Sequence, residues 1–550
     1  MQNIYAEKAL SQIPRLLSNL DRNQFSPTYG CFHRDYWLDK TSDFPDAVRQ
    51  FGVQSLALVY KKDFPNNIYK GQDKIKQWAI AGLNFWVSIQ HADGSFDEFY
   101  PYERGWVGPT AFTTFTSIEA YNLLKEDIPN DIGEKILNTI RKSSYFICKG
   151  ESEEDHLANH HAMACLTVWK AFELLGDKQL EDGFYKLWEG FKSYHNYNEG
   201  WSREYDGVDP GYLSATVSFL GKIYKTNPSD EIFKVLKQSV EFASNFVYPN
   251  GFYAGSLGSR NTLHFYPHGF EILSDKIPLA GSIAEKMLFA LSQNKLVPPE
   301  IISDRYVFYR VPEFLQAYLD YAPRADLMPP LPYEKDNHNI FYNDSKIFTQ
   351  KHDNIFCIAN LAKGGVIKVF SSKKEKILMN DCGVIGRLYD GSIITTQWID
   401  PTYKIDITEL GFKVSGKFNK VPSNKLFNPL KNIIFRFVLI TLGWIPTFSH
   451  YLKGKIRQAL ILGQRKISIN FKRELKLEEN KLNLVTEIEI NGNQKFKELS
   501  FGDEFFVRYV PQSRYFQSQE LEIAGKLISD KEIKSLNKTK YIKIESKLNL

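Results

Sequence analysis

Cysteine is scarce. The five in 550 residues (Cys31, Cys148, Cys165, Cys357 and Cys382) are scattered and never form a CxxC pair. That pattern argues for reduced thiols and excludes a disulfide scaffold or a thiolate metal site. An excess of one charge is also lacking: 69 Lys and Arg stand against 64 Asp and Glu, a net charge of +5. No Lys/Arg block or zinc-finger spacing points to nucleic acid, although a mildly basic surface suits an acidic substrate. The chain has no repeat of fixed period, no low-complexity tract and no apolar run long enough to cross a membrane. The N-terminal stretch MQNIYAEKALSQIPRLLSNL is charged throughout, without a basic region followed by an apolar one. No secretory signal is visible, and a cytoplasmic location is expected.

Aromatic residues are abundant at 14%, with 30 Tyr and 40 Phe, in a chain that is 43% hydrophobic and 24% charged. Such a balance indicates a soluble globular protein, and the length indicates more than one domain. The aromatics can fill cores or line a cleft for sugars. Over residues 1–321, apolar residues recur at three-and-four spacing in 46–60, 71–89, 109–124, 131–149, 156–175, 179–195, 211–225, 230–247 and 280–294, which predicts successive helices. Paired helices over this length suit an α/α toroid, an incomplete helical barrel with a cleft at one end. Pro323, Pro329, Pro330 and Pro332 mark a linker over 322–336. From 337 to 550 short alternating runs such as KIFTQ, NIFCIAN, GGVIKVF, KISINFKRELKL, KLNLVTEIEI, EFFVRYV and YIKIES predict an antiparallel β-sandwich.

An insertion around 425–460 interrupts those strands. Residues 430–445, LKNIIFRFVLITLGWI, are strongly apolar and are followed by Pro446 and a basic stretch. Two readings are open: a buried helix or hairpin closing the sandwich, or a peripheral membrane contact through 430–457 with Lys431, Lys453, Lys455 and Arg457 facing lipid phosphates.

Two stretches gather more titratable chemistry than packing needs. Asn159-His160-His161 precedes the apolar run AMACLTVWKAFELL and follows the acidic run Glu151–Asp155. Asn159 is either a plain helix cap or, with one imidazole, a donor pair at a helix N-terminus that favours a substrate carboxylate. His160 and His161 point about 100° apart on a helix, so one of them faces the cleft. Trp201-Ser202-Arg203-Glu204-Tyr205-Asp206-Gly207-Val208-Asp209-Pro210-Gly211-Tyr212 turns at Asp206-Gly207 and Pro210-Gly211 before the next helix. It offers Tyr205 and Tyr212 as phenols able to take and return a proton, with Glu204 and Trp201 beside them.

A third cluster runs from Asn250 through Arg260 to His264, Tyr266 and His268. There Arg260 supplies a planar fork for a carboxylate or sulfate and His268 an imidazole. Arg34, Tyr36 and Trp37 lie in an HRDYW segment that suits a sugar-stacking rim or a salt-bridged helix end. The element Gln90-His91-Ala92-Asp93-Gly94-Ser95-Phe96 resembles the structural repeat of terpene cyclases. It occurs once, and the acidic motifs that start that family's chemistry are missing.

In order and spacing these elements resemble the heparinase II/III-like and alginate-lyase-like polysaccharide lyases. Asn159-His160 looks like that family's carboxylate-neutralising pair, and Asp206-Gly207…Tyr212 like its catalytic tyrosine segment. The resemblance implies a helical toroid joined to a β-sandwich, and β-elimination on a uronic-acid-containing polysaccharide. Asn159, His160 and Arg260 would stabilise the developing aci-carboxylate, and Tyr212, with Tyr205 or His268, would carry the proton. It implies an acidic polysaccharide or oligosaccharide as partner and requires no dissolved cofactor; some relatives hold zinc in the β domain, but this sequence shows no convincing ligand set for it. The chain departs from the family where a histidine-rich H-x-H-x-D segment opens the β domain, since only His352 and Asp353 remain. Asn380-Asp381-Cys382-Gly383 resembles the family's D-x-G turn. Two alternatives stand beside this reading. One is a glycoside hydrolase on the same toroid, using Glu204, Asp206 or Asp209 opposite Asp93, Asp97 or Glu98. The other is a non-catalytic glycan-binding or exopolysaccharide-assembly protein.

Overall fold

Helices whose surfaces are apolar all round form an inner ring, and amphipathic helices cover it. The computed structural model describes residues 1–98, 106–149, 157–421, 428–457, 465–478, 481–502, 515–522 and 525–549. Its first fourteen α-helices are α1 (Asn3–Leu10), α2 (Ile13–Asn19), α3 (Arg34–Trp37), α4 (Gly52–Lys61), α5 (Asp73–Ser88), α6 (Val107–Leu124), α7 (Asn130–Lys149), α8 (Ala158–Leu175), α9 (Lys178–Lys192), α10 (Pro210–Thr226), α11 (Asp230–Ala243), α12 (His268–Leu273), α13 (Pro278–Ser292) and α14 (Val307–Leu319). In turn, α4, α6, α8, α10, α12 and α14 each pack on the next, and α14 returns to α4. Each inner helix carries a partner: α5, α7, α9, α11, α13 and, for α14, α1. Burial explains the order. Most of α6 and α10 is buried around the whole circumference, whereas α7, α9 and α11 bury one stripe and leave charges outside.

Every span predicted from periodicity contains a helix. The helices among these fourteen that fall in no predicted span, α1, α2, α3, α12 and α14, are short or interrupted. Pro312 lies inside α14, where the missing N–H is the usual sign of a helix end.

Antiparallel sheets follow. A small sheet, β1 (His195–Asn196), β2 (Trp201–Glu204) and β3 (Gly207–Val208), sits between α9 and α10. A five-stranded sheet runs in sequence order through β4 (His338–Tyr342), β5 (Ile347–His352), β6 (Ile355–Asn360), β7 (Val366–Ser371) and β8 (Lys376–Asp381). The remaining strands are β9 (Val384–Leu388), β10 (Ile393–Thr395), β11 (Lys404–Thr408), β12 (Gly411–Lys420), β13 (Lys466–Glu478), β14 (Lys481–Ile490), β15 (Phe496–Phe501), β16 (Lys526–Leu527) and β17 (Tyr541–Asn549). They form one sheet in the order β16-β15-β9-β10-β12-β13-β14-β17, with β11 on β12.

The five-stranded sheet is a middle layer. Phe356, Ile358 and Phe370 join the core of the helical ring. Their alternating neighbours Cys357, Ala359, Ile367 and Val369 join a second core with Phe412, Val414 and Phe471 of the large sheet. Burial on both faces is why NIFCIAN and GGVIKVF are nearly continuous apolar runs. The predicted strand EFFVRYV and the acidic run Glu151–Asp155 lie outside the described residues.

One expectation is corrected. Residues 430–457 form α15 (Pro429–Thr441) and α16 (Pro446–Arg457), but α15 does not close the sandwich. Leu430, Ile433, Ile434 and Phe437 are exposed, and Leu439 is its one fully buried residue. Arg436 turns inward instead, 3.2 Å from Asp43 of the helical region, so the apolar stripe is left facing out.

Candidate active site

The site is built where β2, β3, the start of α10 and the 255–262 loop meet the N-termini of α6 and α8. Glu204 ends β2 and is buried. Its carboxylate accepts the Asn159 backbone N–H at 2.6 Å and the Asn159 side-chain amide at 3.0 and 2.9 Å. Asn159 is therefore not a helix cap. It lies inside the first turn of α8, and Glu204 supplies the negative charge that this helix end favours.

The two histidines that follow diverge as their spacing requires. His160 sits over the first turn of α6, edge-on to Phe112 at 5.5 Å. A Cβ on Gly108 would lie 2.6 Å from its Nδ1, so only glycine admits the ring there. His161 stacks on Tyr194 at 4.5 Å, and Arg203 also lies over that ring at 5.2 Å.

Tyr205 and Asp206 form the two-residue turn between β2 and β3. Tyr205 holds a left-handed φ of 60°, a place usually given to Gly or Asn. Arg260 stacks on its ring at 3.9 Å, and its Nη2 is 4.0 Å from Asp206 Oδ1. The guanidinium is fully buried, yet Nε, Nη1 and Nη2 make no hydrogen bond. Asp206 balances the charge at ion-pair distance without a hydrogen bond, so the planar fork keeps donors to offer an acceptor.

Asp209 fixes this loop to the helix. Its carboxylate caps α10 by accepting from the Tyr212 N–H at 3.2 Å and takes the Arg260 N–H at 2.9 Å. Burial raises the Asp209 carboxyl above its usual range despite those bonds. Tyr212 is thereby held in the first turn of α10, largely buried. From the sheet side, the Lys363 ammonium donates to the Ser256 and Gly258 carbonyls at 2.8 Å each and to Asn261 Oδ1, and the Asn360 amide donates to the Leu257 carbonyl. The turn between β6 and β7 thus braces the arginine loop.

Asn159, His160, Glu204, Tyr205, Arg260 and Tyr212 are brought into one neighbourhood. Other expected residues stand elsewhere. His268 begins α12 beside Ser218, about 9 Å along α10 from Tyr212 at 1.5 Å per residue. Its Nε2 is 2.6 Å from Asp320, and its backbone N–H donates to Glu313, which pairs with Lys222. Burial lowers its pKa.

Tyr266 lies under Arg310, which stacks on it at 4.8 Å. Trp201 donates to Glu199, which also accepts from the β4–β5 turn. Arg34 and Trp37 donate to the Ser18 and Asn19 carbonyls, and Tyr36 stacks on His33. His352 is half exposed at the end of β5, before the turn to β6. That end of β6 is about 20 Å from Lys363 at roughly 3.3 Å per residue. Asp381 accepts from Gly383 and pairs with buried Arg473 at 2.6 Å, so the D-x-G turn is built into the sheet core. Gln90, just past the end of α5, donates to Thr139 and Ser143 in the middle of α7.

Sequence reasoning missed Lys363, Arg310 and Tyr309. Tyr309 packs on Phe112 at 5.4 Å and on Phe51 at 4.3 Å, completing an aromatic floor that begins at His160. Both Arg310 and Tyr309 lie on the unpredicted helix α14, where an Arg among apolar residues was the available signal.

Residues 67–268 match a family model, the Ulvan lyase N-terminal domain. That span contains the whole cluster from Asn159 to Arg260. Among solved structures the chain is similar to the chondroitin AC lyase of Streptomyces coelicolor A3 in complex with chondroitin sulphate. The TM-score is 0.51 at 9% identity, over 91% of this chain and 67% of that one. It is also similar to an unsaturated glucuronyl hydrolase of Streptococcus agalactiae, with a TM-score of 0.39 at 10% identity, over 58% of this chain and 91% of that one. No curated protein matches it. The first likeness shows the fold, a helical toroid followed by antiparallel sheets.

Proposed function

We propose that the protein is a lyase that cleaves a uronic-acid-containing polysaccharide by β-elimination. The observation that carries this reading is the buried guanidinium of Arg260 against Tyr205, whose nitrogens make no hydrogen bond and whose nearest carboxylate, Asp206, stands off at 4.0 Å. A planar fork with free donors in a dry setting suits a carboxylate, which it can meet through two parallel bonds. Two independent supports agree: the match to a lyase N-terminal domain covers these residues, and the fold resembles a lyase that acts on an acidic polysaccharide.

In the reaction, the uronate carboxylate sits on Arg260 and His160. A tyrosine phenolate takes the proton from C5, and the electron pair spreads into the carboxylate, where positive charge and N–H donors stabilise it. The pair then forms the C4–C5 double bond as the C4–O bond breaks, and a phenol returns a proton to the leaving oxygen. Tyr212 and Tyr205 are the proton carriers. Asn159 acts through Glu204, holding β2 against α8 so that His160 and Tyr205 keep their places.

The test is ultraviolet absorbance on a panel of uronic-acid polymers. Elimination gives an unsaturated uronate that absorbs; Tyr212→Phe and Tyr205→Phe each lower that signal. Sugar release without absorbance would make the protein a hydrolase. Tight binding without product, unchanged in both variants, would make it a binding protein.

A further inference from the structure

Between Glu409 and Glu474 the chain carries thirteen Lys and Arg and no acidic residue. At the chain's overall content of 64 Asp and Glu in 550 residues, a stretch of this length would hold about seven. The stretch includes α15 and α16. On α15, Leu430, Ile433, Ile434, Phe437 and Ile440 follow three-and-four spacing, and each is more than half exposed. Trp444 and Ile445, after the helix, continue the exposed apolar surface. The opposite side holds the helix to the protein through Leu439 and the Arg436–Asp43 pair. The stripe therefore faces outward because its inner face is already in use.

An apolar stripe of this size on a helix exceeds the scattered exposure normal at a protein surface. The helix has 13 residues, about 20 Å, and no helix among the described residues is long and apolar enough to cross a membrane. A short helix with an apolar outer face, a Trp just past its end and, over its own segment 428–457, five Lys and Arg with no acidic residue has the features of a segment lying in the plane of a bilayer.

We propose that α15 docks the protein on a membrane surface bearing anionic lipids, with its apolar stripe among the acyl chains and the surrounding Lys and Arg at the phosphates. The charge asymmetry selects this occupant over a second copy of the chain, since two like-charged faces would repel. It goes beyond the lyase reading and is independent of it.

The test is sedimentation of the full chain with phosphatidylcholine vesicles, with and without phosphatidylglycerol. The Ile434→Glu/Phe437→Glu variant changes only exposed positions, and circular dichroism verifies its fold. The expected result is pelleting with anionic vesicles that falls about tenfold or more in the variant and in high salt. Wild type that stays in the supernatant, or variant and wild type that pellet equally, overturns the proposal. So does a wild-type dimer in light scattering that becomes a monomer in the variant without vesicle binding, since the face would then join two copies.

Discussion

The Arg260 guanidinium lies 3.9 Å from the Tyr205 ring, fully buried and with no hydrogen bond from its three nitrogens. Replacing it with Ala should lower kcat/KM on a uronate polymer by about 10²–10³-fold, as loss of a charged donor at a developing anion does. Lys should restore only part of this, because a point charge cannot reproduce the planar fork. Steady-state ultraviolet assays check both. Equal activity in the three proteins would remove Arg260 from the site.

Gly108 is held small by His160, not by backbone conformation. An added methyl would meet the imidazole at 2.6 Å. Gly108→Ala should cut kcat/KM by about tenfold or more while leaving stability nearly unchanged, since alanine's helix propensity offsets the displaced ring. Thermal melting and rate measurement on the same preparation distinguish the two effects.

The Glu204 carboxylate takes three hydrogen bonds from Asn159. Glu204→Ala leaves those buried donors unpaired and should destabilise the fold by about 1–3 kcal/mol. Glu204→Gln keeps the shape and acceptor oxygen and should cost less. Denaturant midpoints measure the difference.

Lys363 ties the sheet to the loop that carries Arg260. Lys363→Met strips the Ser256 and Gly258 carbonyls of their donor, so hydrogen exchange over 255–262 should accelerate and activity should fall. Unchanged exchange in that loop would mean that Asn360 alone holds it.

Stability should fall on mild acidification. Burial lowers the pKa of His33, His195 and His338 to about 4 from an ordinary 6.5. The unfolded chain takes up these protons first, so the stabilisation is complete above pH 6.5 and is lost as pH falls toward 4. Each contributes on the order of 3 kcal/mol. His195→Gln should flatten the profile between those values, as read from melting temperature against pH.

Much of the fold was legible because helices and strands write their periods locally. Apolar spacing in 109–124 and 211–225 gave α6 and α10, and alternation in KLNLVTEIEI gave β14. Part of the site was legible for the same reason: adjacent His160 and His161 must diverge, and Tyr212 falls at a helix start, although Pro210-Gly211 reads as a turn and is instead the first turn of α10. Helix α14 was hidden by Pro312, which a packed helix tolerated because its neighbours hold it in place. Tertiary contact alone decided which groups are satisfied. Glu204, 45 residues from Asn159, takes its amide; Asp320 takes His268; Lys363, about a hundred residues from Gly258, braces the arginine loop. The sequence by itself determined the order of elements and the inventory of phenols, imidazoles and guanidiniums. Only the folded chain decided that the Arg260 guanidinium is buried without a hydrogen bond and that α15 is exposed, because burial and pairing depend on what distant segments bring alongside.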